Sequence, residues 1–110
     1  MQLSIETIAV DTAKRIFVSG EVDVSCADEL RAAVDAALDE ETTSVEVDLS
    51  NVSYIDSTGI GVLVGASHKA RAAEVGFSVS NPQRNVSRVL MLLGVYDELG
   101  VHATDPEPEE

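Results

Sequence analysis

The sequence is short of cysteine, aromatic residues and basic residues, and each shortage excludes a class of protein. A single cysteine, Cys26, rules out an internal disulfide and a zinc cluster built on cysteine ligands. Two phenylalanines, two tyrosines and no tryptophan leave few rings on which bases or sugars could stack. Seven lysines and arginines stand against 20 acids, for a net charge of −13. Such a surface repels nucleic acids and anionic membranes and suits a basic protein partner.

The chain also lacks a long apolar run and a recognisable signal peptide, so we expect a cytoplasmic protein without a membrane span. Apolar residues nevertheless make up 45% of the 110 residues, which is enough for one hydrophobic core. The segment 104–110 differs, because it holds two prolines and four acids in seven residues. We therefore expect one domain over residues 1–103 and a disordered acidic tail over residues 104–110.

Alternation of apolar and polar residues predicts the strands. Two of them, at 2–10 and 15–19, flank a short polar turn and are expected to pair as a hairpin. Further strands are expected at 44–49, 77–80 and 101–103. Strands that alternate with helices favour parallel pairing and right-handed crossovers. The sequence therefore predicts an α/β fold, with a small mixed sheet of four or five strands, a leading hairpin, and helices mainly on one face.

Apolar residues spaced three and four positions apart predict three helices. The first is expected to begin with Ser25 as its N-cap and an acid three residues on as the second half of a capping box. The second runs from about residue 57 to 74, and Gly76 is expected to end it in a left-handed conformation. The third begins near residue 84 and ends at Gly94. The buried stripes are expected to be Leu30, Ala33, Val34, Ala37 and Leu38; Ile60, Leu63, Val64, Ser67 and Ala70; and Val86, Val89, Leu90 and Leu93.

The stretch from Ser53 to Leu63 joins a strand to the second helix and carries two adjacent hydroxyls, Ser57 and Thr58. A helix N-terminus presents unpaired N–H groups and the positive end of the backbone dipole, so polar or anionic groups are favoured there. Ser57 could cap the helix, attack a substrate or accept a phosphoryl group. The glycines that follow it allow the first helical turn to approach either the adjacent strand or the backbone of a partner.

Enzymatic and ligand-binding functions fit the sequence poorly. A serine nucleophile needs a base, but His68 lies ~16 Å further along the same helix. The nucleophile-elbow pattern is absent, and the glycines match neither the dinucleotide-binding nor the Walker pattern. Three aspartates near the expected strand ends lack the spacing of metal ligands: Asp23, Asp48 and Asp56. We therefore predict a non-enzymatic protein with no catalytic residues, cofactor or metal.

Three motifs, in this order, resemble the STAS domain of bacterial anti-sigma factor antagonists. They are Gly20-Glu21-Val22-Asp23, Val45-Glu46-Val47-Asp48-Leu49-Ser50 and Tyr54-Ile55-Asp56-Ser57-Thr58-Gly59-Ile60-Gly61-Val62-Leu63. The resemblance covers about residues 2–103, and the Asp-Ser-Thr-Gly core is its most specific part. One departure is Ile55, where a methionine is frequent in the family.

The resemblance implies a regulator of transcription that works by switching partners. In the family, the serine at the position of Ser57 is phosphorylated by a serine-protein kinase that is also the anti-sigma factor. The unmodified antagonist binds this kinase and frees the sigma factor, and the phosphorylated form releases it. A serine phosphatase of the metal-dependent type restores the binding form, and Thr58 shapes the site without accepting the phosphate.

The family's contact surface maps onto two segments of this chain. The residues implied are Glu21, Asp23, Ser25, Asp56, Ser57, Thr58, Gly59, Ile60 and Gly61. An alternative remains open, since STAS domains also serve as regulatory or scaffolding subunits of transporters and stress-signalling complexes. No phosphorylation cycle is required in that role.

Overall fold

The computed structural model describes residues 3–104, so the predicted acidic tail lies outside the described residues except for Thr104. Its elements are, in order, β1 (Ser4–Val10), β2 (Ala13–Val22), α1 (Ala27–Ala37), β3 (Ser44–Ile55), α2 (Ser57–Ala72), β4 (Gly76–Ser80), α3 (Arg84–Leu92) and β5 (Val101–His102). The predicted order of strands and helices is confirmed, including the short final strand.

The strands form one five-stranded sheet in the order β1-β2-β3-β4-β5. β1 and β2 pair antiparallel as the predicted hairpin, across a turn in which Asp11 has a φ of 56°. The remaining neighbours pair parallel, because a helix crosses over between each pair of strands. The predicted α/β fold with a mixed sheet is confirmed.

β2 and β3 are longer than the alternation predicts, and both continue to the same edge of the sheet. β2 ends at Val22 and β3 at Ile55, and these two residues are paired. Two register shifts, between Phe17 and Ser19 and between Gly20 and Glu21, interrupt the alternation without ending the pairing. β4 pairs with β3 only over residues 44–48 of β3. The carboxyl ends of β2 and β3 therefore project beyond β4.

The core lies between the sheet and the helices, and the predicted stripes are buried or half-buried except for one residue. That residue is Leu93, which follows the last turn of α3 and is exposed, so its assignment to the core is wrong. On α2 the buried face is wider than predicted and also includes Val62 and Ala66. Within residues 3–104, no helix has the length and apolar character to cross a membrane.

The end of α2 differs from the prediction, whereas the end of α3 agrees with it. Gly76 does not terminate α2, because it is already the first residue of β4. The left-handed residue is Glu74, with a φ of 62°, and its N–H donates to the carbonyl of Arg71 at 3.0 Å. α3 ends at Leu92, and Gly94, the predicted stop, follows just past the C-cap with a φ of 74°.

Candidate partner-binding site

Two separate segments of the chain meet where β2 and β3 end. Because these parallel strands finish side by side, the loop after Val22 and the helix after Ile55 start from the same edge of the sheet. The backbone N–H of Asp56 donates to the carbonyl of Val22 at 3.1 Å and ties the two segments together. Residues 34 positions apart in the sequence thereby become neighbours.

Asp56, rather than Ser57, caps α2. Its carboxylate accepts a hydrogen bond from the N–H of Gly59 at 3.0 Å, and its carbonyl accepts one from Ile60 at 2.9 Å. Ser57 is therefore the first residue inside the helix, and its hydroxyl is not the one used for capping. Both Ser57 and Thr58 are exposed. The site thus presents two hydroxyls to solvent at the positive end of the helix dipole.

Gly59 permits the first turn of α2 to lie directly on the ends of both strands. A Cβ atom at this position would lie 2.6 Å from Cγ1 of Val22 and 2.9 Å from Cγ1 of Ile55. Gly61 differs, because a Cβ there would have no atom within 4 Å apart from its chain neighbours and the backbone of its own helix. Of the two explanations left open by the sequence, close approach to the strands accounts for Gly59, while the space beside Gly61 is open.

The loop between β2 and α1 is held by its own side chains. The carboxylate of Asp23 accepts hydrogen bonds from the hydroxyl of Ser25 at 2.6 Å and from its N–H at 3.0 Å. The bond from the hydroxyl has the larger effect and the bond from the N–H the next, and both lower the pKa of Asp23 below its usual value of 3.8. Ser25 is therefore not the N-cap of α1. Cys26 occupies that position without a side-chain cap, and its thiol donates to the carbonyl of Glu21 at 3.2 Å.

The residues predicted to contact a partner gather at this edge, but not all of them reach the surface. Ser25, Ser57, Thr58 and Gly61 are exposed, and Glu21, Asp23 and Asp56 are half-buried. Gly59 and Ile60 are buried, and Ile60 is only 4% exposed. The side chain of Ile60 is thus covered by the rest of the domain, and its predicted contact with a partner is not supported by its burial. Gly59 and Ile60 instead pack the helix onto the sheet.

Two further exposed residues lie in these segments and are not among the predicted contact residues, although Tyr54 belongs to the third motif. Val24 stands at the tip of the loop, and Tyr54 lies near the end of β3. An apolar side chain between two polar neighbours, as in Asp23-Val24-Ser25, is a signal that could have identified Val24. Together they add apolar area to an edge that is otherwise polar and acidic.

The start of α3 also packs against the last part of β3, through hydrogen bonds that no sequence pattern predicts. The side-chain amide of Gln83 donates to the carbonyl of Ser50 at 3.0 Å. That of Asn85 donates to the carbonyl of Ser53 at 2.8 Å. These bonds satisfy carbonyls of β3 at positions that β4 does not reach.

The histidine on α2 and the buried aspartate of β3 are engaged by residues other than Ser57. His68 is bound to Glu98, with Nε2 and Oε2 2.5 Å apart, and so has a partner other than Ser57. Asp48 accepts hydrogen bonds from Arg15 on β2 and from Asn81, which directly follows β4. In the described part of the chain, no three His, Cys, Asp or Glu side chains are grouped so that they could hold a metal.

Comparison with known proteins identifies the family. A model described as "STAS domain" matches residues 4–107. The chain belongs to the STAS family. This STAS domain is 33% identical over 102 residues to the anti-sigma-B factor antagonist of Staphylococcus epidermidis, over 93% of this chain and 94% of the relative. The resemblance seen in the three motifs is therefore confirmed.

Solved structures share the fold of this STAS domain. An anti-sigma factor antagonist from Mycobacterium paratuberculosis superposes with a TM-score of 0.83 at 24% identity, over 94% of this chain and 87% of that one. The phosphorylated form of the Bacillus cell fate determinant SpoIIAA superposes with a TM-score of 0.73 at 19% identity, over 94% and 92% of the two chains. Both likenesses concern the fold.

Proposed function

We propose that this STAS domain is an anti-sigma factor antagonist whose binding to its anti-sigma factor is controlled by phosphorylation of Ser57. The observation that carries the proposal is that Ser57 is exposed in the first turn of α2. Asp56 caps this helix, so the hydroxyl of Ser57 is not used as a cap. The name of the staphylococcal relative supports the class of partner. The phosphorylated SpoIIAA structure, of the same fold, supports phosphorylation as the means of control.

A phosphate on Ser57 would change binding far more than folding. It adds about −1.5 to −2 charges, and the N-terminus of α2 favours such a charge by about 0.3–1 kcal/mol. On the partner side the phosphate would be buried against a surface fitted to a neutral hydroxyl, beside Asp23 and Asp56. Burying such a charge unpaired costs several kcal/mol, and about 4 kcal/mol corresponds to a roughly thousandfold loss of affinity.

The proposed cycle needs two enzymes besides this chain, and both would act in the cytoplasm. A serine-protein kinase that is also the anti-sigma factor binds the unmodified form and releases its sigma factor. The same kinase phosphorylates Ser57 and lets the antagonist go. A serine phosphatase of the metal-dependent type then restores the hydroxyl.

Affinity for the kinase tests the switch directly. We expect Ser57→Ala to bind the kinase as tightly as the unmodified protein, and Ser57→Asp to bind at least about a hundredfold more weakly because of its added charge. Isothermal titration calorimetry measures both, and the matched control is Thr7→Ala, which removes an exposed hydroxyl on β1 outside the predicted contact surface and should bind normally. Equal affinity of the alanine and aspartate variants at position 57 would contradict the proposal.

Mapping the phosphate separates this function from a scaffolding role. After incubation with ATP and the kinase, we expect mass spectrometry to place one phosphate on Ser57 and none on Thr58. A protein that binds the kinase but gains no phosphate would be a regulatory or scaffolding STAS domain without a phosphorylation cycle.

A further inference from the structure

The sheet has one long open edge within the described residues, along β1. β1 pairs only with β2, over all seven of its residues and without a register shift, whereas β5 at the opposite edge has two residues. An open edge presents unpaired N–H and C=O groups, and proteins commonly protect it with lysine, proline or a bulge. β1 has none of these, and its only charge is Glu6. Its backbone is therefore free to pair with another strand.

The same strand carries exposed apolar side chains. On β2, Ile16 and Val18 are buried in the core, so Arg15 and Phe17 lie on the opposite face of the sheet. Ile8 is paired with Arg15 and lies on that opposite face, as does Val10. Ile8 is 44% exposed and Val10 66% exposed, beside a groove of about 350 Å³. The open backbone edge and the exposed apolar side chains thus belong to one strand.

We propose that two copies of this chain associate by antiparallel pairing of their β1 strands. The low net charge of this hairpin favours a second copy as the occupant, because two such hairpins repel each other only weakly. Residues 4–22 contain three acids and two bases, a net charge of −1, against −13 for the whole chain. Two copies that meet through their hairpins therefore avoid most of the repulsion that the acidic remainder of the chain produces.

The register follows from the side chains. In an antiparallel pair, directly opposite residues lie on the same face of the sheet. One strand can therefore slide along the other only by an even number of residues if its apolar side chains are to stay on that face. Ile8 opposite Ile8 of the second copy joins the apolar side chains and sets each Glu6 opposite a Val10. The two Glu6 residues are then about 13 Å apart along the strands. A register centred on Glu6 would instead place the two carboxylates against each other.

This association is separate from the Ser57 switch. Ser4 is paired with Ser19, towards the end of β2 that leads to the partner-binding site, whereas Val10 is paired with Ala13 at the opposite end of β2. Pairing centred on Ile8 leaves both Ser57 hydroxyls accessible. We therefore expect Ser57→Asp to associate as the unmodified chain does, so failure of one proposal does not decide the other.

Sedimentation equilibrium of the full chain tests the association. We expect a monomer–dimer equilibrium that shifts towards the dimer as sodium chloride screens the acidic charge. Ile8→Lys should raise the dissociation constant at least about tenfold, because it puts a charge at the centre of the pairing. Leu92→Lys is the matched control, since Leu92 is 78% exposed on α3 and should leave the equilibrium unchanged. A monomer at every concentration, or a loss of association only in Leu92→Lys, would overturn the proposal.

Cysteine cross-linking tests the register without relying on the lysine variant. In a Cys26→Ala background, Ile8→Cys should form a covalent dimer on mild oxidation, because opposite Cα atoms lie about 4.5–5.5 Å apart, within disulfide range. Glu6→Cys should remain monomeric, because its two thiols would start about 13 Å apart. Cross-linking that is equal at both positions, or stronger at residue 6, would refute the pairing centred on Ile8.

Discussion

At the scale of single residues, Gly59 sets the position of the helix that carries Ser57. We expect Gly59→Ala to lower the free energy of unfolding by about 1–3 kcal/mol, since its Cβ would lie 2.6 Å from Cγ1 of Val22. Gly61→Ala is the matched control. It has open space and should raise that free energy by about 0.5–1 kcal/mol through better helix propensity. Urea denaturation measures both, and a loss of the same size in the two variants would contradict this role for Gly59.

The sequence predicted which residues gather at the site better than it predicted what each one does. Asp56 and Ser57 are both good N-cap residues by type, as are Asp23 and Ser25, which are two positions apart. The choice between them depends on where β2 and β3 end, because the bond from Asp56 to Val22 fixes the first helical turn. Those strand ends lie beyond two register shifts that local alternation does not reveal.

At the scale of elements, the start of α3 stabilises the part of β3 that β4 does not reach. We expect Asn85→Ala to cost about 0.5–1.5 kcal/mol, because it removes the hydrogen bond to the carbonyl of Ser53. It should also speed amide hydrogen exchange in α3. Arg88→Ala, an exposed change on the same helix, is the control and should alter stability by less than about 0.5 kcal/mol. If amide hydrogen exchange in α3 were unchanged in Asn85→Ala, packing alone would hold this helix against β3.

Element types were predictable from the sequence, whereas element ends were less so. The apolar periodicity of each helix reflects a face buried by the fold, and it predicts the buried residues correctly over most of each helix. Leu93 continues that spacing but lies past the end of α3, where the helix no longer faces the core. The left-handed position after α2 is taken by Glu74 and not by a glycine. A glutamate rarely adopts this conformation, so the sequence does not predict it.

At the scale of the whole molecule, the excess of acids should make stability depend on salt. Ion pairs such as Lys14–Asp39 and Lys69–Asp35 neutralise only a few of the 20 acids. Screening the remaining repulsion should raise the free energy of unfolding by on the order of 1 kcal/mol between about 0.05 and 0.5 M sodium chloride. Urea titrations at several salt concentrations measure this. A fall in stability with salt would show that the ion pairs outweigh the repulsion.

The bond between Asp56 and Val22 has a consequence for when the protein can be recognised. The loop at 21–26 and the turn at 56–61 are adjacent only after β2 and β3 have paired along their full length. A newly made or partly unfolded copy therefore displays neither half of the surface in its final place. Any protein that reads both halves at once discriminates mature copies from immature ones, and so acts only on chains that have completed folding.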